Sequence, residues 1–140
     1  MSDVSSTVLV AATAWHAAFQ VTVTAVVYPI LARWSPDEFA RHHAPYTRSV
    51  TGVVAVTYAG LGLACLWALV EDTGSVWVWL TGAFAALTVV VTGSLAAPIH
   101  GRLVRGHDPH LVTRLLRVDR VRAVLALAAL GCALVASLAG

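Results

Sequence analysis

The chain has no lysine, and only 11% of its 140 residues are charged. A soluble domain carries about 25% charged residues, so there are too few charges here to cover a water-facing surface. Hydrophobic residues make up 59%, and the mean hydropathy is +0.80; most of the surface must therefore face lipid. The signatures of several function classes are missing as well. Cys65 and Cys132 form no C-x-x-C pair, which removes a thioredoxin-like or zinc signature. Both lie in apolar runs and read as small packing residues. No H-E-x-x-H or glycine-rich phosphate loop occurs, and no serine sits in a nucleophile-elbow context. The formal net charge of +2 comes from arginines in short segments between apolar runs, not from a basic domain, so nucleic acid is not an expected partner. The N-terminus lacks the basic region and cleavage site of a secretory signal, so the first apolar run is expected to stay as a helix. An arginine-only, alanine- and valine-rich composition suggests a bacterial source.

Four runs reach the roughly 20 apolar residues that a transmembrane helix needs. They are Thr7 to Leu31, Ser49 to Val70, Val76 to Ile99 and Arg122 to Leu138. Only helices and closed barrels satisfy their backbone in lipid, and these runs are too long for barrel strands. The expected fold is all-α: one polytopic four-helix bundle over residues 1–140, multi-pass in the cytoplasmic membrane. Arg33, Arg41, Arg48, Arg102, Arg105, Arg114, Arg117, Arg120 and Arg122 all fall between spans one and two or between spans three and four. The connection between spans two and three carries only Glu71 and Asp72. The positive-inside rule then puts the arginine segments in the cytoplasm and both termini outside.

Each arginine segment carries a helix-start signal. Ser35 precedes Pro36 and two acids, and Asp108 precedes Pro109. Amphipathic interfacial helices are expected at both places, feeding spans two and four. The corners also resemble each other: YPILAR at Tyr28–Arg33 matches APIHGR at Ala97–Arg102. Two hairpins of the same orientation would form a parallel repeat.

Polar residues inside a bilayer are costly and face the bundle interior. Thr13, His16, Gln20, Thr24 and Tyr28 share one helical face of span one. In the second span His42, Tyr46, Ser49, Val53 and Thr57 share a face, with His43 beside it. Thr81, Thr88 and Thr92 form a stripe in span three that leads to Pro98 and His100. Span four reads as scaffold. His16 stands twelve residues before Tyr28, or roughly 18 Å along a helix. Two levels are therefore expected. An outer-to-middle level holds His16 and Gln20, and an inner, cytoplasmic-side level gathers Tyr28, His42, Tyr46, Arg48, His100, Asp119 and Arg120.

The inner level suits a pocket for a lipophilic small molecule entering from the membrane. His42, Tyr46, His100, Asp119 and Arg120 are the candidate catalytic residues, with His16, Gln20, Tyr28 and Arg48 as candidate substrate-binding residues. Several chemistries stay open. His42 with His100 can hold copper or non-haem iron. A haem with axial histidines would need a partner for His16, which the sequence does not supply at that depth. A cofactor-free route is equally open, with His and Tyr or Asp moving a proton and Arg48 or Arg120 stabilising an oxyanion.

His16, the Tyr28-Pro29 exit from span one, F-A-R-H-H-A-P-Y at Phe39–Tyr46 and A-P-I-H at Ala97–His100 together resemble small bacterial four-helix membrane proteins of unknown function. More distantly they resemble the anthrone-oxygenase-like family. The resemblance covers the layout of most of the chain but only these short motifs in residues. It implies membrane-embedded oxidation or tailoring of a lipophilic, often aromatic, substrate without bound flavin or haem. The R-V-D-R-V-R entry to span four, with Asp119 and Arg120, has no counterpart in it. Two non-enzymatic readings stand beside the tailoring enzyme: a small transporter, immunity or accessory subunit, which as a transporter would need to homo-oligomerise, and a haem-carrying membrane anchor.

Overall fold

A computed structural model describes residues 1–139, and they are helical apart from short connections. The four long helices are α1 (Asp3–Leu31), α2 (Pro36–Glu71), α3 (Val76–Leu103) and α4 (Pro109–Ala139), each long and apolar enough to cross a membrane.

Local chemistry sets the starts. Ser2 caps α1 by accepting from the Ser5 amide. Ser35 and Glu38 form a reciprocal capping box at α2, with Pro36 in the first turn, where its missing N–H costs nothing. Ser75 caps α3. Asp108 accepts from the amides of His110 and Leu111 at the start of α4.

The expected helices after Ser35 and Asp108 run on into the spans they feed. They are the first turns of α2 and α4, which continue without a break into the apolar segments. Pro45 lies inside α2. It removes one backbone bond to Arg41, yet the helix runs on to Glu71.

Prolines do disturb α1 and α3. Over Val23–Val27 and again over Thr92–Ala96 the bonding loosens to π geometry, with the Tyr28 amide reaching the Val23 carbonyl and the Ala97 amide reaching Thr92. Each π turn ends two residues before a proline, Pro29 or Pro98. A proline ring clashes with the carbonyl four residues back, and the wider turn makes room for it.

The helices form a ring in chain order, α4 closing it by packing along both α3 and α1. Ala126, Ala129, Ala133 and Ala136 let α4 approach its neighbours closely; the first three are 0% exposed. The core has two apolar layers. Tyr28, Leu31, Phe39, Ile99, Leu103 and Leu115 pack at the arginine-bearing end, while Leu9, Leu61, Ala68, Val78, Ala85 and Ala133 pack at the other. At that far end Glu71 accepts from the Ser2 amide and the Ser5 hydroxyl, tying α1 to α2. Between the two layers lies a polar one.

Candidate functional site

The polar layer is built around α4, the helix that reads as scaffold from its sequence. Asp119 is 1% exposed and Arg122 3%. One helical turn apart on the inward stripe, they form an ion pair of 3.3 Å. Asp119 also accepts from the Gln20 amide at 2.7 Å and the Thr24 hydroxyl at 2.5 Å. Arg122 reaches the Tyr58 hydroxyl at 3.3 Å, and that hydroxyl bonds Thr92 at the head of the second π turn at 2.6 Å. His16, fully buried, meets the Tyr58 ring edge-on at 5.5 Å between centroids. Neither of its ring nitrogens has a hydrogen-bond partner, nor do Gln20 Oε1 and Arg122 Nε.

A second cluster lies towards the arginine end. The Tyr28 hydroxyl is 2.9 Å from His100 Nε2, and His100 Nδ1 is 3.2 Å from His43 Nε2. Each such bond needs one donor and one acceptor nitrogen or oxygen, so the three groups form a relay whose polarity reverses when the imidazole tautomers change. The His43 ring stacks on Phe39 at 4.4 Å, which holds its plane. The π turns lie directly before Tyr28 in α1 and four residues before His100 in α3.

The clusters meet at a cavity of about 370 Å³. Tyr28, His100 and Arg122 all stand in its wall, with Val23, Val50, Val54 and Ala96 as apolar lining. The gap opens where α2 stands off from the π segments of α1 and α3. Thr51, Ala97, Gly101 and Val104 line it and are exposed, which puts the mouth between α2 and α3. Two larger hollows, of about 460 and 470 Å³, have no acid, arginine or histidine in their walls and are more open. Chemistry, not size, selects the smaller cavity.

Several expected placements change. His43, not His42, meets His100. Neighbours on a helix differ by about 100° in direction, and His42 points outward, exposed, with its ring 5.8 Å from Trp34. The His42/His100 metal pair is therefore not formed. His43 and His100 bond each other instead, and among the described residues no group of three His, Cys, Asp or Glu is arranged to hold a metal ion. Among the described residues the aromatic ring against His16 is that of Tyr58, not a second histidine. Arg48 and Arg120 are exposed, and the arginine at the cavity is Arg122. Eight arginines are exposed, and Arg122 alone is buried. Tyr46 lines the cavity half-buried, without contributing a hydrogen bond to either cluster.

The two expected levels are also joined, because Gln20 and Asp119 are in direct contact. With span four starting at Arg122, Asp119 is expected at the inner mouth of the bundle; the structure places it inside, 1% exposed. Counting from Pro109 puts Leu115, Asp119, Arg122 and Ala126 on one stripe at helical spacing, a signal present in the sequence. Tyr58, by contrast, lies off the polar stripes of the sequence.

No family model, curated protein or solved structure matches the chain.

Proposed function

We propose that the protein is a membrane-embedded tailoring enzyme that moves a proton on a lipophilic small molecule held in the cavity between α1, α2 and α3. One observation carries this: the Tyr28–His100 pair and Arg122 stand in the wall of the same cavity. An imidazole within reach of a carbon acid accepts its proton, and a guanidinium with an unused N–H stabilises the oxyanion that develops. His43 is a positioning residue: bonded to His100 and stacked on Phe39, it sets the tautomer that His100 presents. An oxidation of the same substrate can begin with this proton removal but draws its oxidant from outside the chain.

The reading places the site at the cytoplasmic end, where the eight exposed arginines lie, and both termini outside. The matched π turns before Pro29 and Pro98 support a parallel repeat, with the cavity at the junction of its halves.

The test is deuterium incorporation. Membranes with and without the protein are incubated in D2O and their lipids analysed by mass spectrometry. One lipid pool should gain deuterium with the protein present, and His100→Gln should slow that gain by about 10² to 10⁴. Equal incorporation with and without the protein sinks the proposal.

A proton-coupled transporter is the second reading. It is favoured by the ion pair and His16 lying in the middle of the bundle rather than at its end. Proteoliposomes that acidify with no deuterated lipid would favour it.

A further inference from the structure

Among the described residues Arg122 is the one arginine at the cavity wall, and a lone buried guanidinium would ordinarily mark a site for an anion. Its surroundings argue otherwise. The Asp119 carboxylate lies 3.3 Å from Nη1 and is itself held in place by Gln20 and Thr24. The pair is nearly neutral as seen from the cavity, yet Asp119 and Tyr58 take only one N–H from each of the two Nη nitrogens, and each nitrogen carries a second. A wall that offers a hydrogen bond but no net charge in a low-dielectric setting recognises a neutral oxygen. It rejects a carboxylate or phosphate, which would bring an uncompensated charge beside Asp119.

The opposite wall agrees. The Tyr28–His100–His43 relay donates or accepts according to its tautomer, which suits a hydroxyl or carbonyl as it forms and loses a proton. The mouth between α2 and α3 leaves a hydrocarbon tail among the acyl chains.

We infer that Asp119 is a specificity-determining residue, making the cavity selective for uncharged, oxygen-headed lipids such as long-chain ketones or alcohols over fatty carboxylates and lipid phosphates. The inference rests on the ligand cavity of the function proposed above and names its substrate class.

The test uses the full chain in phosphatidylcholine nanodiscs, with dodecan-2-one and laurate each carrying ¹³C at the carbonyl. Binding is read as a saturable, protein-dependent carbonyl signal. The ketone should bind, and laurate should bind about tenfold more weakly or less. Asp119→Asn keeps the side-chain shape but leaves Arg122 without a countercharge; it should tighten laurate about tenfold or more while leaving the ketone little changed. Gly101→Trp should abolish both signals: Gly101 lines the mouth, and a Cβ there meets nothing within 4 Å, so the added side chain starts from open space at the entrance. Laurate binding as tightly as the ketone, or an Asp119→Asn protein with unchanged laurate affinity, overturns the selectivity and leaves the cavity reading standing. Signals that survive Gly101→Trp, or no saturable binding of either probe, overturn the cavity as well. If Asp119→Asn does not fold, the ranking of the two probes on the native chain decides.

Discussion

Replacing Asp119 with leucine should be among the most damaging single changes in the bundle, and the damage should vanish largely when Arg122 is replaced too. Both side chains are at most 4% exposed, and each is the other's counter-ion. Removing one partner of such a pair leaves a buried charge uncompensated, which costs about 3–5 kcal/mol. Arg122→Met should cost a similar amount by the same reasoning. Removing both replaces the pair by apolar side chains in an apolar setting, and then the bonds from Gln20 and Thr24 to Asp119 and from Arg122 to Tyr58 are lost. Hydrogen bonds between membrane helices are worth about 0.6 kcal/mol each. The double variant should therefore sit within about 2 kcal/mol of the native chain, giving a coupling energy of about 3 kcal/mol or more. Arg120→Leu, two residues away on the exposed face, should change stability by no more than about 0.5 kcal/mol. Reversible unfolding in mixed micelles with increasing dodecyl sulfate, followed by helix circular dichroism, measures all four. Additive single and double variants, or single variants costing less than about 1 kcal/mol, would refute the reasoning.

Three other outcomes are expected. His43→Ala should destabilise by about 2–3 kcal/mol, because the Phe39 stack and the bond to His100 go together, whereas His42→Ala should stay within about 0.5 kcal/mol; equal effects in the same unfolding assay would contradict the assignment of His43 to the inward face. Ala129→Leu should cost about 1–3 kcal/mol, since the native side chain is 0% exposed where α4 packs most closely, while Leu134→Ala on the exposed face of the same helix should be nearly neutral; a tolerated leucine at 129 would show that the helices are not in close contact there. Glu71→Ala should speed amide exchange in the first turn of α1 about tenfold, because the Ser2 amide and Ser5 hydroxyl lose their acceptor; unchanged exchange at these residues would show that the tie is not formed in solution.

Four helices, two of them with starts at Ser35 and Asp108, were legible from the residues alone, and the reason is physical. Lipid demands an internally bonded backbone over about 20 residues, and capping is a local reaction of a side chain with amides two or three residues away. The inward stripe of α1 was legible as well: Thr13, His16, Gln20, Thr24 and Tyr28 recur at helical spacing, and Gln20, Thr24 and Tyr28 each end in a hydrogen bond across the bundle. What the sequence could not decide was rotation and partnership. His42 and His43 are adjacent and chemically identical, and only the packing of α2 against Phe39 and His100 separates the exposed ring from the buried one. Among nine arginines, composition suggests a single role for all. The tertiary structure turns eight to the exterior and pairs Arg122 with Asp119 inside, because their stripe on α4 continues the alanine face that packs against α1 and α3. Tyr58 enters the network for the same reason: its hydroxyl is useful only once α2, α3 and α4 bring it to Thr92 and Arg122 at once. Lipid fixes how many helices there are and how long they run. Which polar groups meet between them is a matter of which face each helix turns inward, and that is decided only when all four pack together.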